Sequence, residues 1–460
     1  MRLNMTVLVL VDLMLAWWAF YGGLLLRFGA AEAQFDLVSK PIFRPILFAC
    51  VLMTISYILE AYVREKVRCN AKALLRSCII AFVAFLVLSV VFFVNPRWMI
   101  GRGVLALALA SFIPLQFCWH RAYRVLFKLP YLTDYVVVLG TGELAREVGQ
   151  LIETSSWGGG HQILKGSLAS SEAAATAPSV PPGLVLGTVR ELNGAVKRVG
   201  ATSIVVTDPE LLKSPHFQNE LLNCKMQGVD VVDLPTFHEK ASGKLLLENM
   251  DSIYLAFSVG FRRNPLVDTT KRVMDIVLAT LGMLLSAPLL PLIALLVKLN
   301  SPGPLFYRQV RVGYLARDFT LYKFRTMGLD AEEGTGAVWA AEDDPRIRPI
   351  GRFLRKCRLD EIPQLYNVLG GEMSFVGPRP ERPEFVRELD LAIPYYAKRH
   401  FIKPGLTGWA QIKAPYGASA EDAYEKLRYD LYYFKNMGIV LDTHIFLQTF
   451  RVIFSQFGGR

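Results

Sequence analysis

The sequence predicts a membrane protein in three parts. An α-helical transmembrane bundle covers residues 1–128, a small α/β domain covers 129–258, and an α+β domain covers 265–460, opening on a re-entrant membrane helix at 272–299. Three observations carry this prediction. Of the 460 residues 52% are hydrophobic and the mean hydropathy is +0.32, too apolar for a purely water-soluble chain and too long for one domain. Four apolar runs lie at about 5–26, 45–61, 74–94 and 103–119, each near the ~20 residues that a helix needs to cross a bilayer core. Beyond them strand-like runs alternate with helical patterns, and a fifth apolar run at 276–299 precedes the C-terminal part.

The flanks of the four runs set their orientation. Arg64, Lys66, Arg68, Lys72 and Arg76 fill the second connection, and His120, Arg121, Arg124 and Lys128 follow the fourth run. They outweigh the positive charges of the opposite loops, among them Arg27, Lys40, Arg97 and Arg102. The excess of positive charge places the N-terminus and everything after residue 120 on the cytoplasmic side. A signal peptide fits the first run poorly, because it lacks a small-residue cleavage site, carries Asp12 and Arg27, and leads into further apolar runs. Asp12 reads as a contact between helices or at the membrane edge.

After the bundle, Tyr135-Val136-Val137-Val138-Leu139 reads as a buried parallel strand. It runs into Gly140-Thr141-Gly142-Glu143-Leu144-Ala145 and a helix to about Glu153, the Gly-x-Gly-x-x-Ala turn of a Rossmann-like unit. Ile204–Val206 and Val229–Val232 are further strands, and Ser167 to Pro182 is a loop. The turn raises one alternative function, an NAD-dependent nucleotide-sugar dehydratase or epimerase. Two features oppose it: Gln162–Ser167 offers no acid for a ribose hydroxyl, and the Tyr-x-x-x-Lys pair of such enzymes occurs only as Tyr62 and Lys66, in a membrane loop.

The fifth run decides on which side the C-terminal domain lies. Lys271 and Arg272 precede it while Lys298, Arg308 and Arg311 follow, so both ends favour the cytoplasmic face. Its centre reads Ser286-Ala287-Pro288-Leu289-Leu290-Pro291, where Pro288 and Pro291 remove backbone donors and bend a helix. Each half of about 12 residues spans roughly 18 Å, enough for one leaflet. The expectation is a re-entrant hairpin broken at Ser286, Pro288 and Pro291, with a kinked spanning helix as the alternative.

The richest chemistry lies between Cys357 and Pro380. Asp360 and Glu361 stand at an apparent helix start, just after Arg346, Arg348, Arg352, Arg355, Lys356 and Arg358 and shortly before Pro378-Arg379-Pro380. With Pro363 in the first helical turn, the two carboxylates are expected at the positive end of a helix dipole, where they stay ionised and an anion is welcome. A carboxylate attacks a phosphate only if cations shield the approach, so Arg352, Arg355, Arg358 and Arg379 are candidate clamps. Lys323, Arg325, Gln364 and Asn367 join them as candidate substrate-binding residues. An ordinary solvated basic face and a capping role for the acids remain the bland readings.

The net charge of +11 and pI near 9.3 fit a basic domain held at an anionic leaflet, and nothing else points to nucleic acid. The six cysteines show no Cys-x-x-Cys spacing, and the six histidines are scattered, so neither a zinc site nor structural disulfides are inferred. Apolar and aromatic stripes at Glu421–Asn436 and Ile439–Phe457 read as core helices, or as a surface that lays Tyr432, Tyr433 and Phe434 against headgroups.

The segment from Cys357 to Pro380 resembles the signature of the bacterial sugar transferases, the monotopic polyprenyl-phosphate glycosyl-1-phosphate transferases. Other landmarks occur in the family's order: Lys271-Arg272-Val273-Met274-Asp275, Ser301-Pro302-Gly303-Pro304, Tyr307-Arg308-Gln309-Val310-Arg311-Val312-Gly313 and Tyr322-Lys323-Phe324-Arg325-Thr326-Met327. Asp344-Pro345-Arg346, Lys403-Pro404-Gly405-Leu406-Thr407-Gly408-Trp409-Ala410-Gln411 and Tyr429-Asp430-Leu431-Tyr432-Tyr433 complete the series. The resemblance covers roughly residues 265 to 455 and implies an α+β monotopic catalytic domain facing the cytoplasm, in a multi-pass protein of the bacterial inner membrane.

It further implies transfer of a sugar-1-phosphate from a UDP-sugar to undecaprenyl phosphate, with release of UMP, to start an exopolysaccharide or other surface glycan. Asp360 matches the nucleophile that forms a covalent phosphosugar intermediate, and Glu361 the residue that helps hold Mg²⁺. The family often has Ser or Thr where Arg358 stands. Membrane lipids are further implied partners, a homo-oligomer is left open, and a non-catalytic scaffold of a polysaccharide assembly complex is the third functional class, opposed by the intact Asp360-Glu361 pair.

Overall fold

The computed structural model describes residues 3–30, 43–59, 61–62, 70–126, 133–154, 161–169, 185–249, 258, 260–300, 302–328, 331, 344, 346–414, 417 and 419–454. The chain divides into two compact units, Met1–Gly243 and Lys244–Arg460.

The first unit begins with four apolar helices: α1 (Leu3–Phe28), α2 (Phe43–Ile58), α3 (Asn70–Val94) and α4 (Arg102–Leu126). Three of them are long and apolar enough to cross a membrane, whereas α2, at 16 residues, is shorter. No packing advantage comes from apolar side chains alone when the solvent is lipid, so close backbone approach and polar contacts join such helices. Both occur. Gly23 on α1 lies against α4 so closely that a Cβ there would be 2.8 Å from the Val104 carbonyl oxygen. Asp12, fully buried, is an interhelical contact: His120 Nε2 lies 2.9 Å from its Oδ2, and Gln116 Nε2 donates to the same oxygen (3.2 Å) and to Ser56 Oγ (3.1 Å). The loop residues Arg64, Lys66 and Arg68 lie outside the described residues.

The same unit continues with β1 (Thr133–Leu139), α5 (Glu143–Thr154), β2 (His161–Ala169), β3 (Val185–Thr188), α6 (Leu192–Val199), β4 (Ser203–Val206), α7 (Pro215–Met226), β5 (Asp230–Asp233) and α8 (Leu234–Ser242). All neighbouring strands pair in parallel, in the order β3-β2-β1-β4-β5. Val136 to Leu139 are fully buried, as a central strand covered on both faces requires. One expectation is corrected here: Ser167 to Ala169 end strand β2 and pair with β3, so the loop starts later than Ser167, and residues 170–184 lie outside the described residues.

The second unit opens with α9 (Pro265–Ser286), capped by Asn264, whose Oδ1 accepts from Leu266 N. A single 3₁₀ turn, Ala287–Leu289, separates it from α10 (Leu290–Asn300). Pro288 lies in that turn and Pro291 in the first turn of α10, where a missing N–H breaks no bond. Buried Ser286 turns its hydroxyl back to the Met283 carbonyl (3.2 Å). Leu284, Leu285, Leu289, Leu292, Leu295 and Leu299 are exposed, and the 35 residues Pro265–Leu299 are apolar enough to lie in a membrane.

There follow the antiparallel pair β6 (Phe306–Val312) and β7 (Asp318–Phe324), then α11 (Pro349–Lys356), α12 (Gln364–Gly370), β8 (Ser374–Val376) and α13 (Pro383–Ala392). β9 (Gly405–Thr407), which pairs in parallel with β8, then α14 (Trp409–Lys413), α15 (Ala420–Lys435) and α16 (Ile439–Phe454) complete the unit.

Buried charge fastens α9 to this framework. Lys271 Nζ donates to Asp442 Oδ2 (2.8 Å) and to the Tyr433 hydroxyl (2.9 Å), which in turn donates to Asp442 Oδ1 (2.6 Å). Arg272 caps the end of α12 through the Val368 and Leu369 carbonyls, both at 2.7 Å. Asp275 Oδ1 accepts from Ser374 Oγ (3.0 Å) and Phe375 N (2.8 Å). Tyr433 is therefore a buried member of this clasp, in keeping with the core reading of its stripe and not with the headgroup alternative.

Candidate active site

Arg358 adopts the left-handed region at φ 57°, a conformation that costs a non-glycine residue on the order of 1 kcal/mol or more. That reversal ends α11 and starts a separate 3₁₀ turn, Leu359–Glu361, ahead of Pro363 and α12. The acids thus sit on a turn before a seven-residue helix, not on the helix itself. Both are buried, Asp360 at 6% exposure and Glu361 at 8%.

Their environments differ. Glu361 Oε1 receives Arg379 Nη2 at 3.0 Å, Lys323 Nζ at 3.3 Å and Arg358 Nη1 at 3.4 Å. Burial pushes its carboxyl up, but Lys323, Arg379 and Arg358 together outweigh that and hold it well below the usual carboxylate range. Asp360 Oδ1 is fully buried and has no hydrogen-bond partner among the described residues. Burial first, and the charge of Glu361 second, raise the Asp360 carboxyl above its ordinary value, against the pull of Lys323, Arg355 and Arg358. Burial and neighbouring charge thus shift the two acids in opposite directions, a difference that a position near a helix start does not by itself produce.

Most of the candidate residues converge. Lys323, from β7, Arg358 and Arg379 contact Glu361 directly. Arg355 is held by Thr326 Oγ1 (2.8 Å) and its charge acts on Asp360. Gln364, 4% exposed, opens α12 with Nε2 buried and without a hydrogen-bond partner among the described residues. Arg325 follows β7 directly and is buried, its backbone N–H bonded to the Leu305 carbonyl (3.1 Å). Two candidates do something else. Arg352 lies exposed on α11. Asn367 is fully buried and committed to the fold: Nδ2 donates to the Thr320 carbonyl and Glu372 Oε2, both at 2.7 Å, while Oδ1 accepts from Tyr322 N (3.3 Å).

In the sequence, Lys271 stood only as a charged flank of the apolar run and neither Asp275 nor Thr326 carried a role, though Lys271 and Asp275 clasp the start of that run to the framework and Thr326 holds Arg355. The run Lys271-Arg272-x-x-Asp275 was the signal for the clasp: cations and an acid at helical spacing beside an apolar run demand buried partners.

Four cations, Lys323, Arg355, Arg358 and Arg379, act on two carboxylates, one of which keeps a buried oxygen without a hydrogen-bond partner among the described residues. This arrangement suits a dianionic phosphate ligand. In the α/β domain, β2 extends to Ala169, so the place where an acid would meet a ribose lies near the end of that strand and past Gln162–Ser167. Lys66, one half of the Tyr-x-x-x-Lys pair, lies outside the described residues.

Fold and site together define a membrane protein that carries a buried aspartate within a cluster of cations suited to phosphate. Residues 266–456 match the family model described as bacterial sugar transferase, and the chain belongs to that family. It is 39% identical over 240 residues to a UDP-N-acetylgalactosamine-undecaprenyl-phosphate N-acetylgalactosaminephosphotransferase of Aeromonas hydrophila, across 52% of this chain and 56% of the relative. A UDP-glucose:undecaprenyl-phosphate glucose-1-phosphate transferase of Xanthomonas campestris pv. campestris is 40% identical over 192 residues, 41% of this chain and 40% of the relative. The exopolysaccharide production protein PSS of Rhizobium leguminosarum bv. phaseoli is 40% identical over 185 residues, 39% of this chain and 92% of the relative. The chain thus spans about half the length of the first two of these relatives.

Proposed function

We propose that this protein transfers a sugar-1-phosphate from a UDP-sugar to undecaprenyl phosphate and releases UMP, starting a lipid-linked glycan for exopolysaccharide or another surface polymer. The observation that carries the reading is Asp360: a buried carboxylate with an oxygen that has no hydrogen-bond partner among the described residues, in the field of Lys323, Arg355 and Arg358, with Arg379 on its neighbour Glu361. An acid kept in that state is suited to bond formation rather than to structure. Asp360 attacks the phosphorus that bears the sugar; a carboxylate O–P bond forms, the P–O bond to UMP breaks, and UMP leaves with the electron pair. An oxygen of the lipid phosphate then attacks the same phosphorus, the acyl phosphate bond breaks, and Asp360 is restored as the lipid diphosphosugar forms. Arg379, Lys323, Arg355 and Arg358 counter the charge of the diphosphate through both steps.

The described residues hold no group of three His, Cys, Asp or Glu able to cage a metal. Mg²⁺ that serves phosphates needs only one or two carboxylates, the phosphates and water. Glu361 would be the one protein carboxylate to hold it, with phosphate oxygens and water as the other ligands. When bound, Mg²⁺ supplies further charge stabilisation to the departing UMP.

The apolar segment Pro265–Leu299 is read as re-entrant, with the site at the cytoplasmic face of the inner membrane. What supports this is the break itself and the packing on either side of it: Ala279, before the break, belongs to one buried apolar cluster with Leu321, Leu365 and Met373, Ile293, after it, belongs to another with Phe324 and Leu354, and Ile362 adjoins both. The parallel order β3-β2-β1-β4-β5 supports a Rossmann-like reading of the α/β domain. Glu143, in the first turn of α5 where a pyrophosphate would rest, opposes dinucleotide binding there.

The test is the purified full chain in lipid nanodiscs with undecaprenyl phosphate, Mg²⁺ and a panel of UDP-sugars. UMP is the expected product with at least one sugar. Release of UDP, or no nucleotide release with any of them, refutes the proposal.

A further inference from the structure

The backbone around Arg379 is held with unusual completeness. Four successive carbonyls each accept a hydrogen bond: Pro378 from Gly405 N (2.8 Å), Arg379 from Arg399 Nη2 (3.0 Å), Pro380 from Arg311 Nη1 (3.0 Å) and Glu381 from Val312 N (2.9 Å). The two prolines fix their own φ angles. Gly377 permits the approach just before them, since a Cβ there would lie 2.3 Å from the Lys403 carbonyl oxygen.

Arg399 is the costly member of this set. It is 6% exposed, and the Nη2 that donates to the Arg379 carbonyl also lies 2.8 Å from Asp430 Oδ2, itself 2% exposed. Its Nη1 donates to the Tyr396 hydroxyl (2.7 Å). A guanidinium whose two terminal nitrogens meet a carboxylate, a phenol and a peptide carbonyl has its direction set by them, while its Nε is buried without a hydrogen-bond partner among the described residues. The carbonyl it grips belongs to the residue whose own side chain reaches Glu361 Oε1 at 3.0 Å.

We propose that Arg399 is a positioning residue for Arg379: braced by Asp430 and Tyr396, it grips the Arg379 carbonyl and so aims the Arg379 guanidinium at Glu361 and at a phosphate bound beside Asp360. Arg311 performs the same service one carbonyl further on, with its Nε fixed by Gln309 Oε1 (2.9 Å). A loop whose side chain handles charge works only if the backbone holds it to within about 0.5 Å. Three elements remote in sequence supply that precision here.

The kinetic arm of the test rests on the transfer proposed above; the exchange arm does not. Arg399→Lys keeps the charge and its pairing with Asp430 but cannot reach Tyr396, Asp430 and the Arg379 carbonyl together. It is expected to lower kcat/KM for UMP release about tenfold, and to change kcat/KM less than about twofold when Arg379 is already alanine, because coupled residues are non-additive. Hydrogen exchange of the full chain should speed up at the Gly405 and Val312 amides, which donate to the Pro378 and Glu381 carbonyls, and stay unchanged across Leu365–Val368. Additive kinetic losses, or unchanged exchange at both amides, overturn the assignment. Should Arg399→Lys speed exchange throughout Lys244–Arg460, Tyr396→Phe, which deletes one bond of the brace, takes its place in both measurements; unit-wide exchange there too would show a general structural role and end the proposal. A wild-type chain that releases no UMP refutes the transfer reading alone, since the exchange result still decides the role of Arg399.

Discussion

Replacing Asp360 by asparagine should move activity and stability in opposite directions. The side chain keeps its shape, loses its charge and can no longer form an acyl phosphate. Loss of a nucleophile removes a whole pathway, so UMP release should fall by a factor on the order of 10⁴ or more, equivalent to about 5–6 kcal/mol of transition-state stabilisation. Stability follows from the native environment. Asp360 Oδ1 is buried and unpartnered, a situation that costs about 1–3 kcal/mol, and burial raises the carboxyl, so the ionised form works against the fold. The amide avoids the charge penalty and retains a polar atom, which leaves a net gain of about 1 kcal/mol, or about 2–4 °C in Tm for a domain of this size. The assay is UMP release and thermal unfolding of both proteins in the same nanodiscs. Residual activity within tenfold of wild type would remove Asp360 as the nucleophile, and a Tm lowered by several degrees would show that Asp360 serves the fold, contrary to its unpartnered oxygen.

Glu361→Gln should lower both quantities, because Lys323, Arg358 and Arg379 lose their shared counter-charge. Breaking a buried pair costs about 3–5 kcal/mol, reduced to about 2–3 here since the Arg358 and Arg379 side chains are 34% and 39% exposed; an unchanged Tm would contradict the contacts. Lys271→Met leaves Asp442 without its cation in a site where the acid is 1% exposed, so unfolding should be easier by about 3–5 kcal/mol, while Asp360 chemistry per folded molecule stays within about threefold. Unaltered thermal stability would reject the clasp. Asp430 is raised to about 6 by burial, against the opposing pull of Arg399, with Glu381, Lys426 and Tyr396 also facing it. An acid raised on folding contributes stability that is complete below its unfolded value of about 3.9 and is lost as pH rises through about 6, roughly 3 kcal/mol in all. The stability of wild type relative to Asp430→Asn should therefore decline between pH 4 and 6.5, and a flat difference would reject the buried titration.

The membrane helices were legible because lipid imposes a composition on every residue of a span. The dyad was legible because Asp360 and Glu361 are neighbours in the chain. Position within a cluster was not. Arg352 and Arg355 read alike in a basic run, yet one is exposed and the other is held by Thr326, a residue 29 positions away. Asn367 is the polar type that binds ligands, but its amide and carbonyl are consumed by β7 and Glu372, a commitment set by tertiary packing. Strand β2 was missed because Gln162 and Lys165 interrupt its apolar pattern, and only pairing with β1 and β3 makes it a strand.

The same distinction explains why the chemistry needs the whole C-terminal fold. A carboxylate next to arginines along a chain would simply pair with them. Here Lys323, Arg358 and Arg379 arrive from three separate segments and are all drawn to Glu361 Oε1, which leaves Oδ1 of its neighbour unpartnered. On the proposed reading, Glu361 keeps these cations close to Asp360 while taking their direct contacts itself. Burial then raises the basicity of the aspartate while the nearby charge favours an anionic partner. The adjacency of the two acids sets up this division, and the remote anchors at Thr326, Arg311 and Arg399 keep it in place.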